Sequence, residues 1–157
     1  MKKLFDELSY QVSKATTQKY STSFSLGILA LSTGMRPPIY AIYGFVRLAD
    51  EIVDSFHDYD KKCLLNRFTE QTWQAIEEGI SLNPILQSFQ EVVHKYDIDH
   101  QLIRQFLHSM EMDLEQVDYN SDLYKEYILG SAEVVGLMCL QIFVNGNKEA
   151  HERLRPY

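Results

Sequence analysis

Ala41-Ile42-Tyr43-Gly44-Phe45-Val46-Arg47-Leu48-Ala49-Asp50-Glu51-Ile52-Val53-Asp54 is the stretch that decides the fold. Asp50 and Asp54 stand four residues apart, so on a helix they share one face, one turn apart. Counting back by three and then four puts Arg47 and Tyr43 on the same line. Tyr40 and Glu51 border that line, and the rest of the circumference is apolar: Ala41, Ile42, Phe45, Val46, Leu48, Ala49, Ile52 and Val53, with Gly44 among them. A surface helix ordinarily shows a broad polar face and an apolar stripe. Here the proportions are reversed, which predicts a helix buried on most sides with a thin polar line facing a cavity. Gly44 and Ala41 would let neighbouring helices approach closely.

Two carboxylates on one face repel, and burying them is costly unless a cation lies between them. The pair is therefore a candidate for a divalent metal. The spacing alone also fits a solvated acidic face with Arg47 paired to Asp50 or Glu51. An open surface with no cavity beside the aspartates would defeat the metal reading.

Outward from this segment the chain reads as all-α. Alternating β-branched runs closed by Asn-Gly or Asp-Gly turns are missing. Helices are expected over Leu4 to Lys19 and Ser21 to Leu31, the latter capped by Ser21. Pro37-Pro38 suits the first turn of the striped helix, Ile39 to Phe56. Leu64, Leu65, Phe68, Trp73 and Ile76 recur at helical spacing between Asp58 and Gly79, with Gly79 as the stop. Asn83-Pro84 opens a helix to Tyr96, Asp99 one to Val117, and Ser121 one to Val144. Asn147 opens a last segment that lacks a glycine stop and a closing apolar face. Connections are short, so neighbours are mostly antiparallel, and no linker divides the chain. One helical domain, or part of one, is expected over residues 1–157.

The chain has 157 residues, 45% of them hydrophobic, with a formal net charge of −7 and a pI of about 5.2. No basic patch matches a phosphate backbone, which argues against nucleic acid. An acidic chain that takes an anionic ligand would do so through metal ions. Cys63 and Cys139 are isolated and read as reduced thiols of a cytoplasmic protein, with Cys139 in the core. The start, Met1-Lys2-Lys3-Leu4-Phe5-Asp6, is not a signal peptide. The apolar run Val134 to Val144 is too short to span a bilayer. His57, His94, His100, His108 and His151 share no spacing and read as surface or satisfied residues. Met110, Met112, Phe106 and Leu114 read as core.

Two segments, Tyr20-Ser21-Thr22-Ser23-Phe24 and Ala41 to Asp54, resemble the squalene/phytoene synthase family of head-to-head prenyltransferases. The pattern Ala-x-Tyr-x-Phe-x-Arg-x-Ala-Asp-x-x-x-Asp is specific to it. Met110-Glu111-Met112-Asp113-Leu114 and Ala132-Glu133-Val134-Val135-Gly136-Leu137-Met138 extend the match, which runs from about Tyr20 to Tyr157. There are two departures. Glu133 replaces the first glycine of the family's Ala-Gly-x-Val-Gly. A second aspartate-rich motif, expected on a later helix, would fall after Arg153-Leu154-Arg155-Pro156-Tyr157. The chain is accordingly expected to be an N-terminal portion of an isoprenoid-synthase-type antiparallel bundle.

The resemblance implies that two prenyl diphosphates, farnesyl or geranylgeranyl, are joined to squalene, dehydrosqualene or phytoene. Asp50 and Asp54 would hold Mg²⁺, and Arg47 would contact the diphosphate. Tyr43 and Tyr127 would face the carbocation. Ser21, Ser23 and Phe24 would bind substrate, and Val135 and Cys139 would wall the prenyl tails. NADPH is needed only if the product is squalene. The chain alone is expected to be inactive, to expose apolar surface that favours self-association, and to be compatible with loose membrane association through its lipid product. The competing class is a non-catalytic helical binding or assembly module.

Overall fold

The computed structural model describes residues 1–115 and 120–156, and among them all regular structure is helical. Chain order is α1 (Lys2–Tyr20), α2 (Thr22–Leu29), α3 (Arg36–Asp54), α4 (Lys61–Glu78), α5 (Pro84–Tyr96), α6 (His100–Leu114), α7 (Ser121–Ile128), a π-helical turn (Leu129–Glu133), α8 (Val134–Phe143) and α9 (Lys148–Leu154). The expected helix end at Val117 lies outside the described residues.

Capping chemistry sets most boundaries. Asp60, Asn83, Asp99 and Asn147 accept hydrogen bonds from the first-turn amides of α4, α5, α6 and α9. These side-chain acceptors satisfy donors that a helix start leaves unpaired. Gly79 ends α4 in the left-handed region at φ 69°, where glycine avoids the Cβ penalty. Asn120, not Ser121, caps α7, because its side-chain oxygen reaches the amides of Asp122 and Leu123.

The core is organised around α3. Phe45 is fully buried on the face opposite the polar line. It stacks on Phe89 of α5 at 3.9 Å between centroids, and meets Phe68 of α4 at 5.4 Å and Phe106 of α6 at 5.5 Å. One aromatic thus ties three helices to the fourth, and truncating such a residue to alanine typically costs about 3–5 kcal/mol.

Along its other flank α3 packs on α1 through small residues. Ser9, Ser13 and Thr17 of α1 are fully buried at one-turn spacing. A Cβ at Gly44 would sit 2.9 Å from Ser13 Oγ, so glycine is what permits the expected close approach. The Ser13 hydroxyl is satisfied by Ser88 Oγ of α5 at 2.8 Å.

The expected Ser121-to-Val144 helix is interrupted. A π-helical turn at Leu129–Glu133 separates α7 from α8. At Gly130 a Cβ would overlap Ser109 Oγ and lie 2.5 Å from the Gln105 carbonyl oxygen. The widened turn goes with this tight seat on α6. α7, the π turn and α8 still run on as 23 residues, within which an 18-residue window of mean hydropathy 1.4 is long and apolar enough to cross a membrane, although the run Val134 to Val144 by itself stays too short. Val134, Met138 and Ile142 are nevertheless buried in the core, and α8 packs against α3 and α6. A core-wall helix accounts for those contacts, while 28% burial over the apolar window leaves one of its faces uncovered.

Candidate active site

The polar line lies on α3 as expected. Tyr43 and Arg47 are half-buried. The Asp50 side chain is 39% exposed and that of Asp54 58%. The cavity expected beside the line is not enclosed in this chain. A cleft of about 420 Å³ opens nearby, lined by His57, Lys61, Glu111 and Leu114 among others, and neither aspartate lines it. The open-surface condition is met in part: neither aspartate lines the cleft and Asp54 is exposed, which favours the solvated-face reading, while Asp50 keeps much of its carboxyl out of water and so leaves the pair a metal candidate.

Electrostatics separates the two aspartates. Burial, and then the Asp54 charge, push the Asp50 carboxyl up to about 6, against the opposing pull of Arg47. Asp113 of α6 adds to the same field and is itself raised, by burial and by Asp54. A carboxylate so placed is under-compensated by the protein's own cations.

Arg47 does not close that gap. Its Nη2 pairs with Glu51 Oε2. Its Nη1 stands 3.8 Å from Asp50 Oδ2 and 4.0 Å from Asp54 Oδ2, beyond hydrogen-bonding range. The sequence alternative of an Arg47 pair with Glu51 is thus realised, and the metal candidates stay without a direct hydrogen bond from it.

The α1–α2 junction covers this line. Ser21 is extended, at φ −147° and ψ 99°, and its Oγ accepts the Phe24 amide at 3.2 Å as the α2 cap. The bend lays Tyr20 and Phe24 antiparallel to Arg47 and Tyr43. Arg47 Cζ is 4.3 Å from the Tyr20 ring centroid, and Phe24 stacks on Tyr43 at 4.7 Å and 24°. Tyr20 was not among the expected site residues. Its signal was a second four-residue spacing, Tyr20 to Phe24, matching that of Tyr43 to Arg47.

The remaining expected residues are placed as follows. Ser23 is exposed on α2. Tyr127 is half-buried near the end of α7, and its carbonyl oxygen accepts a long 3.5 Å bond from Ser109 Oγ. Val135 and Cys139 are half-buried on α8 and pack on the core. Burial pushes the Cys139 thiol up to about 12. Glu133, at the end of the π turn, is exposed to solvent, so the acid at the departure from Ala-Gly-x-Val-Gly is not buried in the bundle. His94 and His151 are satisfied by the carbonyls of Ile76 and Leu137.

The oxygen donors and their shortage of compensating charge fit a hard divalent cation such as Mg²⁺, which takes one or two carboxylates together with phosphate oxygens. Among the described residues no three His, Cys, Asp or Glu side chains cluster closely enough to form a complete metal cage. Phosphate and water oxygens would have to supply the other ligands.

The chain is 27% identical over 135 residues to the phytoene synthase of Arthrospira platensis, covering 85% of the chain and 44% of that protein. It is 30% identical over 129 residues to the chloroplastic phytoene synthase 1 of Solanum lycopersicum, covering 79% of the chain and 30% of that protein. Among solved structures, a ligand complex of a dehydrosqualene synthase superposes with a TM-score of 0.77 at 21% identity, covering 87% of the chain and 48% of that structure. The squalene synthase HpnC of Alicyclobacillus acidocaldarius gives 0.78 at 20% identity, covering 92% and 54%. The chain therefore spans about half the length of these structures, or less of the curated relatives, and shares their helical fold. The squalene/phytoene synthase family model matches residues 17–155, and the chain belongs to that family.

Proposed function

We propose that this chain carries the first metal-and-diphosphate half of a head-to-head condensation of two prenyl diphosphates. The observation that carries the reading is the line Tyr43, Arg47, Asp50, Asp54 on α3, with Asp50 raised to about 6 by burial and Asp54. Family membership over residues 17–155 supports the substrate class.

In this reading Asp50 and Asp54 hold Mg²⁺, which when bound would neutralise diphosphate charge as the carbon–oxygen bond ionises. The Nη1 edge of Arg47 donates to diphosphate oxygens, while its Nη2 stays on Glu51. The stacked faces of Phe24 and Tyr43, with Tyr127, stabilise the allylic cation without offering a nucleophile. The double bond of the second substrate supplies the electron pair that forms the new carbon–carbon bond. Loss of a proton closes a cyclopropane, the second diphosphate then leaves as the skeleton rearranges, and the resulting cation loses a second proton to give the neutral hydrocarbon. Ser23 serves the diphosphate end, Ser21 holds the α2 start that carries Phe24, and Val135 and Cys139 line the tails. The named curated relatives are phytoene synthases, which favours condensation without NADPH.

The chain covers 44% and 30% of the two phytoene synthases named above, and in this reading these 157 residues bind substrate without turning it over. Incubation with labelled farnesyl or geranylgeranyl diphosphate and Mg²⁺ tests this. Metal-dependent retention without a hydrocarbon product is expected. Hydrocarbon formed by this chain alone would overturn the half-site assignment. The absence of any metal-dependent retention would overturn the substrate class and favour a non-catalytic module.

A further inference from the structure

We infer that Tyr20 is a positioning residue that holds Arg47 off the aspartates by carrying its guanidinium on the Tyr20 ring. This rests on the diphosphate reading of Arg47. Three distances carry the inference. Arg47 Cζ lies 4.3 Å from the Tyr20 centroid, within cation–π range. One edge of the guanidinium is taken by Glu51, through Nη2. The other edge, Nη1, stops at 3.8 Å from Asp50 and 4.0 Å from Asp54.

A free arginine one turn from two carboxylates would close onto them, since charge-assisted pairs settle near 2.7–2.9 Å. Closed, it would occupy the lone pairs that a metal needs and would turn its own donors away from a phosphate. The ring and Glu51 together hold the guanidinium short of that contact, so the carboxylates and Nη1 face the same ligand without neutralising each other. The ring has its place because Ser21 breaks the chain between α1 and α2. Tyr20 is the last residue of α1, and Ser21 is extended and caps α2.

The hydroxyl has no part in this device, so Tyr20→Phe should behave as the parent chain and Tyr20→Leu should not. Two readouts apply to the 157-residue chain. In the side-chain NMR spectrum, the Arg47 guanidinium resonance should carry an upfield ring-current shift in the parent and in Tyr20→Phe, and lose it in Tyr20→Leu. In calorimetry, Mg²⁺-dependent affinity for inorganic pyrophosphate should fall about two- to fivefold in Tyr20→Leu and hold in Tyr20→Phe, the size expected for one partly exposed cation–π contact.

An unshifted Arg47 resonance in the parent overturns the stack. Equal loss of affinity in Tyr20→Phe and Tyr20→Leu overturns it too, by making the hydroxyl a direct ligand. No Mg²⁺-dependent pyrophosphate binding by the parent overturns the diphosphate reading and the purpose given to the stack, while the resonance shift still decides whether Tyr20 orients Arg47.

Discussion

Phe24 stacks on Tyr43 at 4.7 Å with their planes 24° apart, and this contact joins the short α2 to the helix that bears the aspartates. Aromatic pairs of this kind contribute about 0.5–1.5 kcal/mol beyond the area they bury. A double-mutant cycle of Phe24→Leu and Tyr43→Leu, read by urea denaturation, should return a coupling of about that size. Additive effects would mean that the rings are neighbours without mutual stabilisation.

Gly130 should be the least replaceable residue of the π turn. In Gly130→Ala the new Cβ overlaps Ser109 Oγ and meets the Gln105 carbonyl oxygen at 2.5 Å. Overpacking of this sort costs about 1–3 kcal/mol. Adding Ser109→Ala should recover only part of the loss, because the backbone carbonyl remains. Full recovery in the double variant would place the whole conflict on the serine.

Much of this fold is legible in local chemistry. The striped helix, the caps Asn83 and Asp99, and the Gly79 stop all follow from side-chain type and spacing, because each acts within one turn of the chain. The π turn was not legible. Gly130 in mid-helix was its one trace, and its cause, contact with Ser109 and Gln105, lies more than twenty residues away. The polar line of α3 was readable from its period, whereas its enclosure was not, since periodicity says which residues share a face and nothing about what covers that face. The sequence points Arg47 toward the diphosphate, with a pair to Asp50 or Glu51 as the alternative. The structure shows the Glu51 pair on one edge of the guanidinium and the Tyr20 ring against it, a contact that no spacing within α3 could reveal.

Asp50 should make stability depend on pH. The ordinary carboxyl value is 3.8 and the folded one about 6, raised by burial and then by Asp54. Between those values the folded state holds a proton that the unfolded state has released, so stability falls as pH rises from about 4 to about 6. Asp50→Asn should raise the urea midpoint at pH 7, leave it nearly unchanged at pH 4, and flatten the profile between. Parallel profiles for variant and parent would show that Asp50 titrates as an ordinary surface acid. Asp113 and Glu91 are raised as well, which is why the difference between the two proteins is the quantity to read.

The two cysteines should differ in reactivity. Cys63 is exposed, while burial holds the Cys139 thiol near 12. Only the thiolate attacks a disulfide reagent, so at pH 8 Cys139 should react roughly a hundredfold more slowly than Cys63 in the native protein. The two rates should converge in denaturant. Equal native rates would mean that the α8 wall opens freely to solvent.

In the proposed site Asp50 and Asp54 join the protein to a diphosphate through a divalent cation. Calorimetric titration of farnesyl thiodiphosphate, an analogue that ionises slowly, into the 157-residue chain tests it most directly, with Mg²⁺ or with chelator and against Asp50→Asn/Asp54→Asn. Binding that requires Mg²⁺ and weakens about tenfold or more in the double variant is expected. Binding of equal strength in chelator, or undiminished in the variant, would contradict it.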